Sequence, residues 1–385
     1  MPAAMNPCDF APDYIRAIAP YQPGKPIAEL AREMGLNEAD IVKLASNENP
    51  LGISPKARAA IAAAIDELAL YPDGNGFELK SAIARKLGVA LDQIVLGNGS
   101  NDVLELVARA FLAPATSAVY SQHAFAVYPL ATQATGARGI EVPALDFGHD
   151  LAAMRAAIRE DTRVVFIANP NNPTGTLLEA DALYAFLHAV PRQVVVVLDE
   201  AYGEFLDADR QAPAVAWLAE FPNLVLTRTF SKAYGLAGLR VGFALAQADL
   251  AGMLNRVRQP FNVNSLALCA AAAALNDTAF IAESKRVNDA GMAQLTQGVQ
   301  AMGLDFIPSF GNFVCVKVGS VESQAKRENP AASVFQALLK RGVIVRPVGN
   351  YGMPDYLRVS IGLPEQNARF LAALGEILNA TPRPA

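Results

Sequence analysis

The chain has 385 residues, of which 52% are hydrophobic and 18% charged. That length and balance exclude a disordered chain and leave room for two domains around a large core. A net charge of −5 excludes a surface-wide positive field, so neither nucleic acid nor an anionic membrane is an expected partner, and any anion site must be local.

Residues 1–45 open with a proline-rich piece, IAPYQPGKP, followed by a short amphipathic helix, IAELAREMG. The proline spacing predicts an extended arm. An arm without a core of its own must lie on another domain or another subunit. From residue 46 to 263, helices alternate with short apolar strands. SPKARAAIAAAIDEL and FELKSAIARKLG read as helices and QIVLG as a strand. NGSNDVLELVARAFL reads as a helix with Val103, Leu104, Val107, Ala108 and Phe111 on one face. The runs SAVYS, RVVFIAN, QVVVVLD and NLVLTRT come next as strands. Continuous Val/Ile/Leu runs predict strands buried on both faces of a mainly parallel sheet, so the fold class is α/β, doubly wound. In residues 264–385 a long helical stretch, roughly 265–302, leads to the strand FVCVKV. The helix ASVFQALLKRG and the strands VIVRPV and LRVSIG then complete a smaller α/β domain. The end, ATPRPA, reads as a frayed tail.

Cys8, Cys269 and Cys315 are far apart, and no CxxC pair occurs. His123, His149 and His188 are equally scattered. No disulfide framework and no metal site is indicated. The opening MPAAMNPCDFAP lacks the basic and apolar regions of a signal peptide, and LALCAAAAAL is too short for a membrane span of about 20 residues. A soluble, cytoplasmic protein is expected.

In open parallel sheets, ligands sit beyond the carboxyl ends of the strands. The residues just past each strand end therefore carry the chemistry. After QIVLG, residues Gly99, Ser100 and Asn101 can present amides at a helix N-terminus to an anion, or form a plain N-cap. After SAVYS, QHAFAVYPL brings Phe125 and Tyr128 to the same edge, as a stacking platform or as core. After RVVFIAN comes PNNPTG, a rigid turn with Asn172 beside the cleft. After QVVVVLD comes EAYGEF, where Asp199 caps the next segment or meets a cation, with Tyr202 three residues on. After NLVLTRT comes FSKAYGLAGLR, with Thr229, Ser231, Lys232 and Arg240. Each has a bland reading as a turn or surface residue. Together they suit one ligand: a pyridine ring with a carboxylate at its nitrogen, donors at its ring oxygen, an aromatic face, a phosphate cradle and a lysine for its aldehyde. That ligand is pyridoxal 5'-phosphate.

In order and spacing, NPNNPTG, VVVLDEAYGEF and TFSKAYGLAGLRVG resemble the fold-type I aminotransferases, over nearly the whole chain. PYQPGKP, LASNENPLG and YPDGNGFELKSAIA resemble the histidinol-phosphate aminotransferase branch of that family. The resemblance implies a fold-type I transferase: a large domain with a mainly parallel doubly wound sheet, plus a smaller C-terminal α/β domain. It implies Lys232 as the lysine that carries pyridoxal 5'-phosphate and shuttles the proton, Asp199 at the pyridine nitrogen, and Asn172 and Tyr202 at the ring oxygen. Phe125 lies over the ring, where many relatives have tyrosine. Gly99, Ser100, Asn101, Thr229, Ser231 and Arg240 hold the phosphate. Tyr71 reaches the site of a second subunit, so a homodimer is implied. Arg358 grips the substrate's anionic end, Arg346 is a second anion contact, and Tyr21 and Asn47 are further substrate contacts. The implied substrates are histidinol phosphate and 2-oxoglutarate, with glutamate as product, in histidine biosynthesis. The rival activities on the same framework are an aromatic amino acid aminotransferase and a phospho-amino-acid decarboxylase. A cofactor-binding transcription regulator would need a DNA-binding domain for which the chain has no basic helix-turn-helix segment.

Overall fold

A computed structural model describes residues 6–21, 24–319 and 330–380. Part of the expected arm (22 and 23), most of the expected tail (381–385) and the first residues of the opening segment (1–5) lie outside the described residues. The central feature is a seven-stranded sheet. In chain order its strands are β2 (Ile94–Gly97), β3 (Ser117–Ser121), β4 (Arg138–Val142), β5 (Thr162–Ala168), β6 (Val195–Asp199), β7 (Leu224–Thr229) and β8 (Gly242–Leu245). Their order across the sheet is β2-β8-β7-β6-β5-β3-β4, with β8 antiparallel to both its neighbours and the other pairs parallel.

The apolar runs become strands because both faces of the sheet are covered. Along β6, Val196 and Leu198 pack into one layer, with Leu79 and Ile83 of the helix Phe77–Leu87 and Leu183 and Phe186 of the helix Ala180–Ala189. Val195 and Val197 pack into the opposite layer, with Val103, Leu104 and Val107 of the helix Ser100–Phe111. Period-2 alternation therefore persists in space although both sets are apolar. Each fully buried aliphatic side chain contributes about 1.5–3 kcal/mol relative to exposure.

β4 and β8 are absent from the expectation. β4 is a largely exposed edge strand with a polar pattern, and β8 is four residues long and comes after a glycine-rich loop. β4 lacks the apolar run by which the other strands are read, and the run that holds β8, VGFALA, adjoins the glycine-rich loop without a polar break.

The second sheet is antiparallel, ordered β12 (Arg346–Pro347), β13 (Tyr356–Ser360), β10 (Phe313–Lys317) and β9 (Phe306–Ile307). Leu357 and Val359 of β13 face a separate core with Leu374 and Phe370. Tyr356, Arg358 and Ser360 occupy the alternate positions. Two segments depart from the division at residue 264. Helix Ser265–Leu275 packs Ala267, Ala270 and Ala271 into the core of the large sheet. At the other end, β1 (Val42–Lys43) pairs in parallel with β11 (Val343–Ile344) as a separate two-stranded sheet, tying the N-terminal segment to the C-terminal region. The long helical stretch is two helices, Ser265–Leu275 and Thr278–Ala301, bent by 82°. Asp277 stands at the break, where its side chain caps the second helix by accepting from the Phe280 amide. Among the described residues no single helix is long and apolar enough to cross a membrane.

Candidate active site

The carboxyl ends of β5, β6 and β7 border a cavity of about 210 Å³, walled on another side by Arg346 of β12 and Arg358 of β13. Of the residues singled out in the sequence, Tyr21, Asn47, Ser100, Asn101, Phe125, Asn172, Asp199, Tyr202, Thr229, Ser231, Lys232, Arg240, Arg346 and Arg358 all line it.

Asp199 ends β6 and is buried. Its Oδ2 accepts from the Tyr128 hydroxyl at 2.9 Å and its Oδ1 from Thr227 Oγ1 at 2.9 Å. Both donors are neutral. Burial pushes the carboxyl up, while these hydrogen bonds oppose the shift. Lys232 donates to the Ser46 carbonyl at 3.2 Å and lies 5.8 Å from the centre of the Tyr202 ring. Burial, with the Arg358 guanidinium adding to it, lowers the lysine from 10.5 to about 8. The amine thereby gains a substantial neutral fraction near neutral pH, as a nucleophile or proton carrier requires.

Tyr202 is held by Asn47, whose Nδ2 donates to the phenol oxygen at 2.9 Å. The other end of the same amide, Asn47 Oδ1, accepts from Ser360 Oγ at 3.0 Å. Asn47 adopts a left-handed backbone, φ 55°, so the segment strains to place that amide. The structure thus commits the Asn47 side chain to orienting Tyr202, a partnership that sequence spacing did not reveal.

The helix Ser100–Phe111 starts at the cavity, and the first amides of any helix lack intrahelical acceptors. Gly99 precedes it at φ +83°, and a Cβ there would stand 2.5 Å from Arg240 Nη2. Gly99 therefore lies behind the guanidinium, as backing. Arg240 is itself left-handed, φ 58°, and donates to Ser231 Oγ at 3.4 Å. Thr229 Oγ1 accepts from the Ser231 amide at 3.1 Å. Amides, hydroxyls and a guanidinium converge as an anion cradle.

Arg358 is 7% exposed. Its Nη1 donates to Asn172 Oδ1 at 2.6 Å and its Nη2 to the Ala45 carbonyl at 2.8 Å, while Nε is buried without a partner. Both acceptors are neutral. The sheet register sets Arg346 directly opposite Arg358, and like charges in that relation are unfavourable. Arg346 also stacks over the Tyr21 ring at 5.6 Å. Two guanidiniums on adjacent strands, one deeply buried, make a site for a dianion or for two anionic groups.

Tyr71 is the residue the structure does not bring in. It is 84% exposed and stacks on Phe261 at 4.9 Å. Tyr351 and Ser46 line the cavity without having been assigned a role, and so does Tyr128, read from the sequence only as a stacking platform or as core. An aromatic near the Phe125 edge was the available signal for Tyr128, but its hydroxyl contact depends on a partner 71 residues away.

The family model for aminotransferase class I and II matches residues 39–374. The chain belongs to this family. Its similarity to individual class I and II aminotransferases is also extensive. It is 64% identical to a histidinol-phosphate aminotransferase from Methylobacillus flagellatus, over 96% of this chain and 98% of that one. It is 62% identical to histidinol-phosphate aminotransferase 1 from Thiobacillus denitrificans, over 98% and 97%. Among solved structures, the histidinol-phosphate aminotransferase of Sinorhizobium meliloti in complex with pyridoxal-5'-phosphate is similar, with a TM-score of 0.86 and 29% identity, covering 96% of this chain and 97% of that one.

Proposed function

We propose that the chain transfers an amino group between histidinol phosphate and 2-oxoglutarate, giving imidazole-acetol phosphate and glutamate, with pyridoxal 5'-phosphate as cofactor, in histidine biosynthesis. The observation that carries the substrate side is Arg358: a buried guanidinium on the cavity wall with an unpartnered Nε and only neutral acceptors. Paired across the strands with Arg346, it suits the phosphate of one substrate and the carboxylates of the other, since guanidinium binds both in bidentate fashion. The names of the relatives point the same way.

The residues present fit the cofactor. The backing of Arg240 by Gly99, the Thr229 and Ser231 hydroxyls and the start of the helix Ser100–Phe111 form a cradle for its phosphate. Asp199 is a buried carboxylate with two neutral donors, ready to hold a proton at the ring nitrogen. The Tyr202 hydroxyl accepts from Asn47 and keeps its own proton for the ring oxygen, beside Asn172. Phe125, on the cavity wall, would cover one face of the ring. When bound, the cofactor supplies an electron sink for the pair left on the substrate carbon as its proton departs. Lys232 Nζ, neutral above about pH 8, takes that proton and returns it. Arg358 and Arg346 orient the substrate so that its reacting carbon stays within reach of that amine. Burial of Tyr202, Asp199 and Arg358 excludes water from these contacts.

The active form is a homodimer in the cytoplasm, with Tyr71 completing the partner's site. Its exposure, with Leu70, Phe77 and Phe261 also exposed nearby in sequence or space, supports this placement. The test is single-turnover amino transfer to the bound cofactor with a panel of amines. Histidinol phosphate should react at least about a hundredfold faster than phenylalanine, since only it offers a phosphate to two guanidiniums. Equal rates would favour an aromatic aminotransferase, and carbon dioxide release from a phosphorylated amino acid would favour a decarboxylase.

A further inference from the structure

We propose that Tyr128 is a positioning residue for the reaction: with Thr227 it clamps the Asp199 carboxylate in its ionised form, so that a proton rests on the cofactor's ring nitrogen rather than on the carboxylate. This rests on the cofactor reading above.

Tyr128 is fully buried in the helix Val127–Ala134. Its ring stacks on Phe166 at 4.9 Å and 6°, and meets Phe125 edge-on at 5.9 Å and 86°. A phenylalanine would fill that space equally well. The hydroxyl is therefore the informative atom, because a phenol buried without an acceptor is costly. Its acceptor is Asp199 Oδ2, at 2.9 Å. The other carboxylate oxygen is taken by Thr227, also fully buried, at 2.9 Å. Two neutral donors, one per oxygen, fix the carboxylate's rotation and stabilise its charge without cancelling it. A cationic partner would do the opposite, competing with a ring cation for the same carboxylate.

Other groups facing Asp199 are the Ala201 amide, which donates to it, the neighbouring Glu200, whose charge opposes its own, and the Lys232 amine, whose charge interacts with it without a hydrogen bond to it. Tyr202 stands nearby. Glu200 is itself paired with Arg228 at 2.9 Å, so its repulsion is compensated. Tyr128 is held firmly protonated by burial and by the adjacent carboxylate, which keeps it a donor. If one donor is removed, the ionised carboxylate loses stabilisation. The ring N–H bond then breaks and an O–H bond forms on Asp199. The ion pair becomes a neutral pair, and the ring withdraws electrons less strongly.

The experiment uses the holoenzyme loaded with cofactor labelled with nitrogen-15 in the ring. The variants are Tyr128→Phe, Thr227→Val, the pair together, and Asp199→Asn as control. The nitrogen-15 resonance should move toward the unprotonated value in both single variants and further in the double. The kcat should fall by roughly tenfold in Tyr128→Phe, the loss expected for one hydrogen bond to an ionised group, with KM changing less than about twofold. A purely structural tyrosine would leave the resonance in place. If Asp199→Asn shifts the resonance and neither Tyr128→Phe nor Thr227→Val does, the clamp is overturned while the cofactor placement stands. If Asp199→Asn leaves it unmoved, the placement of Asp199 at the ring nitrogen falls, and the clamp with it. Should Tyr128→Phe fail to fold, Thr227→Val decides by the same resonance.

Discussion

Replacing Arg358 by alanine tests the anion site most directly. The guanidinium is 7% exposed and makes hydrogen bonds of 2.6 and 2.8 Å to Asn172 and the Ala45 carbonyl. Removing it leaves a substrate anion facing a buried wall without its cation, a loss of about 3–5 kcal/mol for one partner of a desolvated charge pair. At about 1.4 kcal/mol per tenfold, kcat/KM should fall by roughly a hundredfold to several thousandfold. Arg358→Lys should restore only part, because an ammonium cannot span both acceptors and a phosphate with a planar fork. Proximity adds a second signature. Arg358 helps to depress the Lys232 amine to about 8, so in cofactor-free Arg358→Ala that amine should titrate higher, toward its ordinary 10.5. The assay is stopped-flow on the two half-reactions separately, with the Lys232 amine titrated in the cofactor-free protein. Loss in only one half-reaction would refute a single arginine serving both substrates. A kcat/KM within threefold of the parent would refute the assignment of Arg358 altogether.

Three further outcomes are expected. Borohydride reduction of the loaded protein, followed by peptide mapping, should place the label on Lys232, and Lys232→Ala should abolish both label and turnover while the cofactor still binds through its phosphate; label on another lysine would overturn the assignment. Mixing Tyr71→Ala subunits with Lys232→Ala subunits should restore one working site per heterodimer, and a demonstrated heterodimer without activity counts against a shared site. His149 is buried, accepts at Nε2 from the Ala168 amide at 3.2 Å, and is lowered by burial to about 4. The unfolded chain therefore binds a proton that the folded one refuses between about pH 6.5 and 4, and folding stability should drop as pH falls through that window, by at most about 3 kcal/mol. Urea midpoints at pH 7.5 and 4.5 should converge more in His149→Gln than in the parent, and identical acid losses in both would refute the argument.

Much of this chain is local in origin. Continuous apolar runs such as VVVVLD can be buried on both faces only in a covered sheet, so the doubly wound layer was legible without coordinates. Polar groups at the ends of β5, β6 and β7 were legible for a related reason: the buried strand stops where the chain turns polar, and the turn carries Asn172, Asp199 and Lys232. Features beyond the reach of the sequence depend on contacts between distant segments. Whether Arg346 meets Arg358 depends on the register of β12 against β13, and a slip of one residue would turn either side chain to the opposite face. Asn47 and Tyr202 are 155 residues apart, and Tyr128 and Asp199 are 71 apart. No periodicity encodes such pairs, because they arise where separate layers pack. The segments at the chosen boundary obey the same logic. Ser265–Leu275 joins the large core because its alanines fit closely against the helices Pro55–Ala64 and Phe77–Leu87, and Val42–Lys43 joins the C-terminal region because its backbone pairs with β11 in a two-stranded sheet of their own. Local sequence determined which residues stand at strand ends; tertiary packing decided which of them face one another across the cavity.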